Sequence, residues 1–371
     1  MKIILFKSLL LFSVLVVIFA CNQKDVSVAD VKTIELKGSQ DFLPISSFIA
    51  ELGYLELQVS EAGYEMGEIT DVKVLDGDLI VKQRKARELS FLRFSETGRF
   101  LNEIVNNKNE EISNPLDVVL YKNGYAILGE NGICEVSKDG KNLKKIISAE
   151  MAGESFFVVK NTFYVISETG SNEFLTQYSE NKKAKNSVRI DQRFDKLMYT
   201  DVAHFGKQNY HLLSSFSDVI YTFVNNKLMP LYKLDGGNYA TLNEVWQNVG
   251  DRDTKETMRY IYDTQHVLVK NFLENDDIIF ITYWVGSSST TLIIKKADWE
   301  MRYYGRGVND IDGGIWDRAM HLSDKNELYI PISSGKIGGH KITNKWHKEF
   351  ENLQAHIAST GNPVIMKCRL K

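Results

Sequence analysis

Apolar and polar positions alternate in short runs, and turn residues break the runs at intervals. Val72, Val74 and Leu79-Ile80-Val81 flank Asp76-Gly77-Asp78. Phe91-Leu92-Arg93-Phe94 follows, and Ser95-Glu96-Thr97-Gly98-Arg99 turns the chain into Phe100-Leu101. Short alternating runs around an Asp-Gly or Asn-Gly pair predict antiparallel hairpins. The unit recurs at Val118-Val119-Leu120 with Tyr125-Ala126-Ile127-Leu128, and at Phe156-Phe157-Val158-Val159 with Phe163-Tyr164-Val165-Ile166. It recurs again at Val202-Ala203-His204-Phe205, at Val267-Leu268-Val269 and at Ala319-Met320-His321-Leu322. Asp71, Asp117, Phe157 and Ala203 mark starts about 40–50 residues apart, which is the period of propeller blades. A four-stranded sheet alone leaves its apolar faces open, and radial packing of several such sheets covers them.

A longer gap precedes the fifth copy. Within it, Leu242, Val245 and Trp246 lie between Tyr239 and Tyr262 and predict one short helix. Helical pattern is otherwise scarce. At the C-terminus Val364, Met366, Cys368 and Leu370 alternate with Ile365, Lys367 and Arg369, a strand with two distinct faces. An N-terminal strand near Thr33-Ile34-Glu35-Leu36 is expected to pair into the last blade, because joining the two chain ends removes an open sheet edge. The fold class is therefore all-β, a propeller with four-stranded antiparallel blades closed by pairing of N- and C-terminal strands, and it occupies residues 31–371.

Composition supports a packed core, with 43% hydrophobic residues and only five prolines. The net charge is −3. That mild acidity argues against a nucleic-acid surface.

The N-terminus changes the picture of where the domain sits. Lys2 and Lys7 precede Leu9 to Phe19, which is apolar apart from Ser13. This run falls short of the roughly 20 residues that span a bilayer and reads as the core of a signal peptide over residues 1–20. Ile18-Phe19-Ala20-Cys21 resembles a bacterial lipobox, although Phe19 is bulkier than usual there. The resemblance implies cleavage before Cys21, lipidation of Cys21 and a membrane partner reached through that anchor. An ordinary secretory cleavage site or a retained anchor is the other reading. Residues 21–30 then form the lipidated cysteine and its tether. Gln23-Lys24-Asp25 is similar to the surface-export signals of Bacteroidota lipoproteins, and equally to a solvated linker. The expected location is the cell envelope, as an outer-membrane lipoprotein facing the periplasm or the cell surface.

Several stretches of the second half carry a family resemblance. They are Ser217-Asp218-Val219-Ile220-Tyr221 with Pro230-Leu231-Tyr232, Phe272-Leu273-Glu274-Asn275-Asp276-Asp277, Asn309-Asp310-Ile311-Asp312-Gly313-Gly314, and Gly361-Asn362-Pro363-Val364-Ile365-Met366. Together they resemble the six-bladed β-propeller lipoproteins of Bacteroidota, related in architecture to NHL-type and TolB-like propellers. The first half matches less well, and Tyr54-Leu55-Glu56-Leu57 fits the usual opening only loosely. The resemblance implies six blades and an envelope lipoprotein.

Candidate chemistry is sparse. Asp310 and Asp312 offer hard oxygens at alternating positions, and Ca²⁺ is the ion they would suit, but the further ligands of an EF-hand are missing. The competing reading is an Asx-type loop whose side chains bond nearby backbone amides. His204 and His321 occupy similar places in their copies and could line a central channel, as metal ligands, as a base or as hydrogen-bonded core histidines. Glu274, Asp276 and Asp277 form an acid/base set only if burial raises one pKa, and otherwise a solvated turn. Cys134 and Cys368 are either one disulfide or two small buried hydrophobes, the second being preferred. No cofactor and no catalytic residue is assigned. The aromatics Trp284, Tyr303, Tyr304 and Trp316, with Arg306, are the candidate ligand-binding set, since Trp, Tyr and Arg are favoured at interfaces. Packing in the core and between blades is the competing and preferred reading of these side chains.

The leading expectation is a non-catalytic binding or interaction module for a protein or glycan partner. The alternative is a metal-dependent hydrolase or lyase acting at the central channel.

Overall fold

The computed structural model describes residues 31–371 apart from 40–41, 150–152, 168–174, 180–181, 189–202, 206–209, 214–217, 249, 251, 253–255, 257–258, 261–262, 265, 286–287, 306 and 342–347. The chain is a six-bladed β-propeller. Blade 1 holds strands Glu68–Leu75, Asp78–Lys85, Glu88–Phe94 and Phe100–Asn106 in order from the axis outward. Blade 2 holds Pro115–Tyr121, Gly124–Gly129, Gly132–Ser137 and Lys144–Ser148. Blade 3 holds Gly153–Val159, Thr162–Ser167, Leu175–Ser179 and Lys182–Val188. Blade 4 holds Ala203–Phe205, Tyr210–Leu213, Val219–Val224 and Lys227–Asp235, and blade 5 holds His266–Glu274, Ile278–Val285, Ser288–Lys295 and Glu300–Tyr304. The six starts coincide with the six copies read from the sequence.

Local chemistry explains the hairpins. Asp76-Gly77, Lys160-Asn161 and Asn225-Asn226 each have positive φ at both positions (52° and 80°, 48° and 63°, 51° and 62°). Two left-handed residues in a two-residue turn match the right-handed twist of the strands they join.

Packing follows from the two-residue period of a strand. Val81 joins Tyr329 and Ile365 of blade 6 in one cluster, whereas the preceding Ile80 joins Tyr125 and Ile127 of blade 2 in another. Phe156 likewise packs against blade 2, and Phe157 against Leu212 and Phe223 of blade 4. The two remaining interfaces unite Ile220 and Leu234 of blade 4 with Ile281 and Leu292 of blade 5, and Phe280 of blade 5 with Ile330 and Met366 of blade 6. Every blade thus buries both faces, and each large side chain so covered contributes about 1.5–3 kcal/mol.

Closure differs in detail from the expectation. Blade 6 consists of His321–Leu322, Glu327–Ile332 and Val364–Leu370, completed on its outer edge by Ile49–Glu56. Val364 lies opposite Glu56, and Cys368 opposite Leu52. The ends of the chain do close the ring, but the strand at Lys32–Glu35 is not the one that does so. It runs parallel to the outermost strand of blade 4, with Ile34 opposite Leu234. Ile34 and Leu36 are buried there. The alternation of Ile34 and Leu36 specifies an edge with one apolar face but not which edge. Between the two strands, the chain passes along blade 5: the Tyr303 hydroxyl donates to Glu35 O (2.8 Å), the Tyr283 hydroxyl to Lys37 O (2.6 Å), and Ser39 N to Thr290 Oγ1 (3.3 Å). The described residues from 31 to 56 therefore form a strap that pairs with the outer edge of blade 4, crosses blade 5 and completes the outer edge of blade 6.

The short helix expected near Leu242 is present as Leu242–Gln247. Two further helices, Ser334–Gly339 and Lys348–Thr360, lie between the second and third strands of blade 6 and were not expected. Phe350, Leu353 and Ile357 of the longer one pack into the interface of blades 5 and 6. Cys134 and Cys368 are buried free thiols in different interfaces and do not pair with each other.

Candidate functional site

In an antiparallel blade, the turn between the second and third strands and the connection to the next blade lie at the same end. At that end the turns of blades 1 and 2 are short, residues 86–87 and 130–131. The corresponding segments 236–265, 305–320 and 333–363 are long and fall in consecutive blades, 4 to 6. Insertions collected on one face of a repeat fold mark the face that carries binding. Trp284 stands at this end of blade 5 and is 46% exposed, with the Lys270 ammonium 4.8 Å from its ring centroid. The Arg318 guanidinium, arriving from the 305–320 segment, donates to Lys270 O (3.1 Å). Asp317 and Lys336 form an ion pair that ties this segment to the 333–363 insertion. An exposed indole under an ammonium, with a guanidinium bound to the same stretch of strand, can stack on a flat apolar face while the cations meet hydrogen-bonding or acidic groups.

The other candidate aromatics do not join Trp284. Tyr303 and Tyr304 are consecutive in a strand and face opposite ways. Tyr303 packs toward blade 4 and donates to Glu35 O. Tyr304 is buried against Phe48, ring centroids 4.7 Å apart. Trp316 meets the same Phe48 edge-on at 5.6 Å. Tyr304 is buried and Trp316 half-buried, and both pack on Phe48. Arg306 and Cys21 lie outside the described residues, as does the His204 side chain.

The Asn309–Gly314 segment is an Asx-type loop. Asn309 Oδ1 accepts from Ile311 N (3.2 Å) and Asp312 N (3.3 Å), and Asp312 Oδ1 accepts from Gly314 N (2.9 Å). Asp310 accepts from Ser46 N (2.9 Å) and from the Ser46 hydroxyl (2.5 Å), and Asp312 accepts from the Tyr54 hydroxyl (2.7 Å). Both carboxylates are thus spent on the strap and the closing strand. A Cβ on Gly314 would lie 2.6 Å from the Phe350 ring and 2.7 Å from the Tyr54 hydroxyl, so the loop needs a glycine there. Among the described residues no group of three His, Cys, Asp or Glu side chains is arranged to hold a metal.

The inner strands carry a charged network that sequence reading did not find. Lys73 of blade 1 donates to Asp117 of blade 2. The other oxygen of Asp117 accepts from Ser155 Oγ (2.8 Å) and Phe156 N (3.1 Å) of blade 3. One carboxylate thereby links three blades. Burial works against the Lys73 charge, but Asp117 and Asp71 together raise its pKa. Burial raises the Asp71 pKa. His321, on the inner strand of blade 6, has its pKa pushed down to about 4 by burial and by the Lys73 ammonium. The imidazole is neutral at physiological pH.

Glu274 is not part of a solvated turn. It is buried between blades 4 and 5, where His211 Nδ1, Lys296 and the Tyr232 hydroxyl surround it. Burial opposes its charge, but the His211 and Lys296 contacts outweigh that and lower its pKa. Asp276 and Asp277 beside it are exposed.

No curated protein matches the chain in sequence. In three dimensions it is similar to a protein of Bacteroides fragilis described as exported, with 12% identity and a TM-score of 0.67 over 92% of this chain and 100% of that one. It is similar also to apo AztD of Citrobacter koseri (9% identity, TM-score 0.39, 71% of this chain and 68% of that one). A luciferin-regenerating enzyme gives 8% identity and a TM-score of 0.41 over 86% and 97%. At such identities the likeness concerns the fold. The sequence itself is matched from residue 31 to 369 by the model of a domain of unknown function, DUF4934, and the chain belongs to that family.

Proposed function

We propose that this protein is a lipid-anchored envelope module that binds a glycan or protein partner, without catalysis, on the insertion-bearing end of blades 4 to 6. The observation that carries the reading is exposed Trp284 with Lys270 and Arg318 at that end. A large aromatic left in water beside cations is an expected anchor for a ligand. The lipobox-like Ile18-Phe19-Ala20-Cys21 supports anchoring through Cys21, and the exported Bacteroides protein of similar fold is in keeping with a place outside the cytoplasm. Metal-assisted hydrolysis at the channel has less support, because Asp117 and Lys73 already neutralise each other there.

The test is binding of the purified protein to panels of immobilised polysaccharides and candidate envelope proteins, repeated with Trp284→Ala and Arg318→Ala. Loss of binding at an unchanged melting temperature supports the reading. Binding that is indifferent to both changes overturns the site. Metabolic labelling with an alkynyl fatty acid, lost in Cys21→Ala, tests the anchor separately.

A further inference from the structure

The rim between blades 5 and 6 carries an apolar patch that the binding reading does not use. Leu43–Pro44 of the strap runs parallel to Gly307–Val308, with Leu43 opposite Gly307 and Pro44 opposite Val308. The two-residue period puts Phe42, Pro44 and Val308 on one side of this short ladder. Gly307 faces the other way, where a Cβ would lie 2.7 Å from Trp316. The outward side is left in water: Phe42 is 69% exposed, Val308 46%, and Ile311 in the adjoining loop 37%. Pro44 is exposed as well. Lys371 borders the patch, its ammonium donating to Ser46 O (2.5 Å).

We infer that this patch rests on the lipid surface to which Cys21 holds the chain. The inference depends on the lipid anchor proposed above. Val31 lies ten residue steps after Cys21, and at about 3.3–3.6 Å per extended residue these reach roughly 35 Å. Val31 begins the strap, whose next exposed apolar residue is Phe42. A tether of that length keeps the patch at high effective concentration near the bilayer. Side chains that bury weakly on their own then settle into the interfacial region.

The experiment uses the mature chain from Cys21, coupled through the Cys21 thiol to maleimide-bearing lipid in vesicles of phosphatidylethanolamine and phosphatidylglycerol. Coupling by this route makes the result independent of lipidation in the cell, so failure of the anchor and failure of the patch are distinguished. A cysteine-free attachment chemistry at the N-terminus then frees Val308→Cys for a nitroxide label, with Lys144→Cys on the opposite rim as control. Shielding of the label at 308 from a water-soluble nickel chelate, together with gain of collisions with membrane-dissolved oxygen, is expected, with no change at 144. Phe42→Asp removes the shielding while the melting temperature stays unchanged. Equal chelate access at 308 and 144 overturns the inference, and Ile311→Cys provides the same reading if the first label perturbs folding.

Discussion

The Tyr54 hydroxyl donates a 2.7 Å hydrogen bond to Asp312, joining the strand that closes the ring to the loop that leads into the last blade. Asp312 is buried and Tyr54 partly so. Burial and the neighbouring carboxylate push the Tyr54 pKa up, so the phenol stays a donor. Tyr54→Phe removes the donor and leaves a buried carboxylate one bond short. The expected cost is about 1–3 kcal/mol, seen as a lower midpoint in urea unfolding with an unchanged slope. Asp312→Ala costs more, because Gly314 N loses its acceptor too.

Asp117 ties the inner strands of blades 1, 2 and 3 through Lys73, Ser155 and Phe156 N. Asp117→Ala leaves the half-buried Lys73 ammonium with Asp71 and Val118 O among its remaining neighbours and takes the acceptor from Ser155 and Phe156 N, a loss of about 1–3 kcal/mol. Adding Lys73→Met to that variant removes the less well compensated charge and restores part of the loss. A double-mutant cycle by chemical denaturation measures the coupling; additive effects would contradict the network.

His321 gives the fold a defined acid sensitivity. Its folded pKa is about 4, whereas an unfolded histidine titrates near 6.5. The unfolded chain therefore binds this proton first, and stability falls as pH drops from about 6.5 to about 4. The lowered pKa of Glu274 acts in a lower window, below the ordinary carboxylate range. His321→Gln is expected to flatten the upper window in thermal melts while leaving the lower one in place. Two parallel curves would be the contrary result.

The Cys134 and Cys368 thiols are pushed up to about 11 and about 12, chiefly by burial. Thiolate is the reactive form. In the native protein both resist Ellman's reagent at pH 8, and both react on unfolding in guanidinium. The electrophoretic mobility of the Cys21→Ala protein should not change with reductant.

Much of this fold was readable from spacing. Val72, Val118, Phe156, Val267 and Ala319 announced blades because each lies in, or just before, the innermost strand of a blade. Pairing partners at the edges were less readable. Ile34 and Leu36 fit any outer edge, and parallel addition to blade 4 is decided by contacts with Tyr283 and Tyr303 far along the chain. The helix at Lys348–Thr360 was missed since its polar residues dominate, although Phe350, Leu353 and Ile357 stand at helical spacing. For the candidate site, the dispersal of Tyr303 and Tyr304 was predictable, because neighbours in a strand point apart. The link between Lys73 and Asp117 was not, because it joins separate blades.

Since the outer strand of blade 6 comes from residues 49–56 and its neighbours from residues 321–370, the ring is a buckle fastened last. During synthesis the early strand waits without a mate until Val364–Leu370 emerges, and a chain cut short upstream of Val364 is left with an unlatched gap.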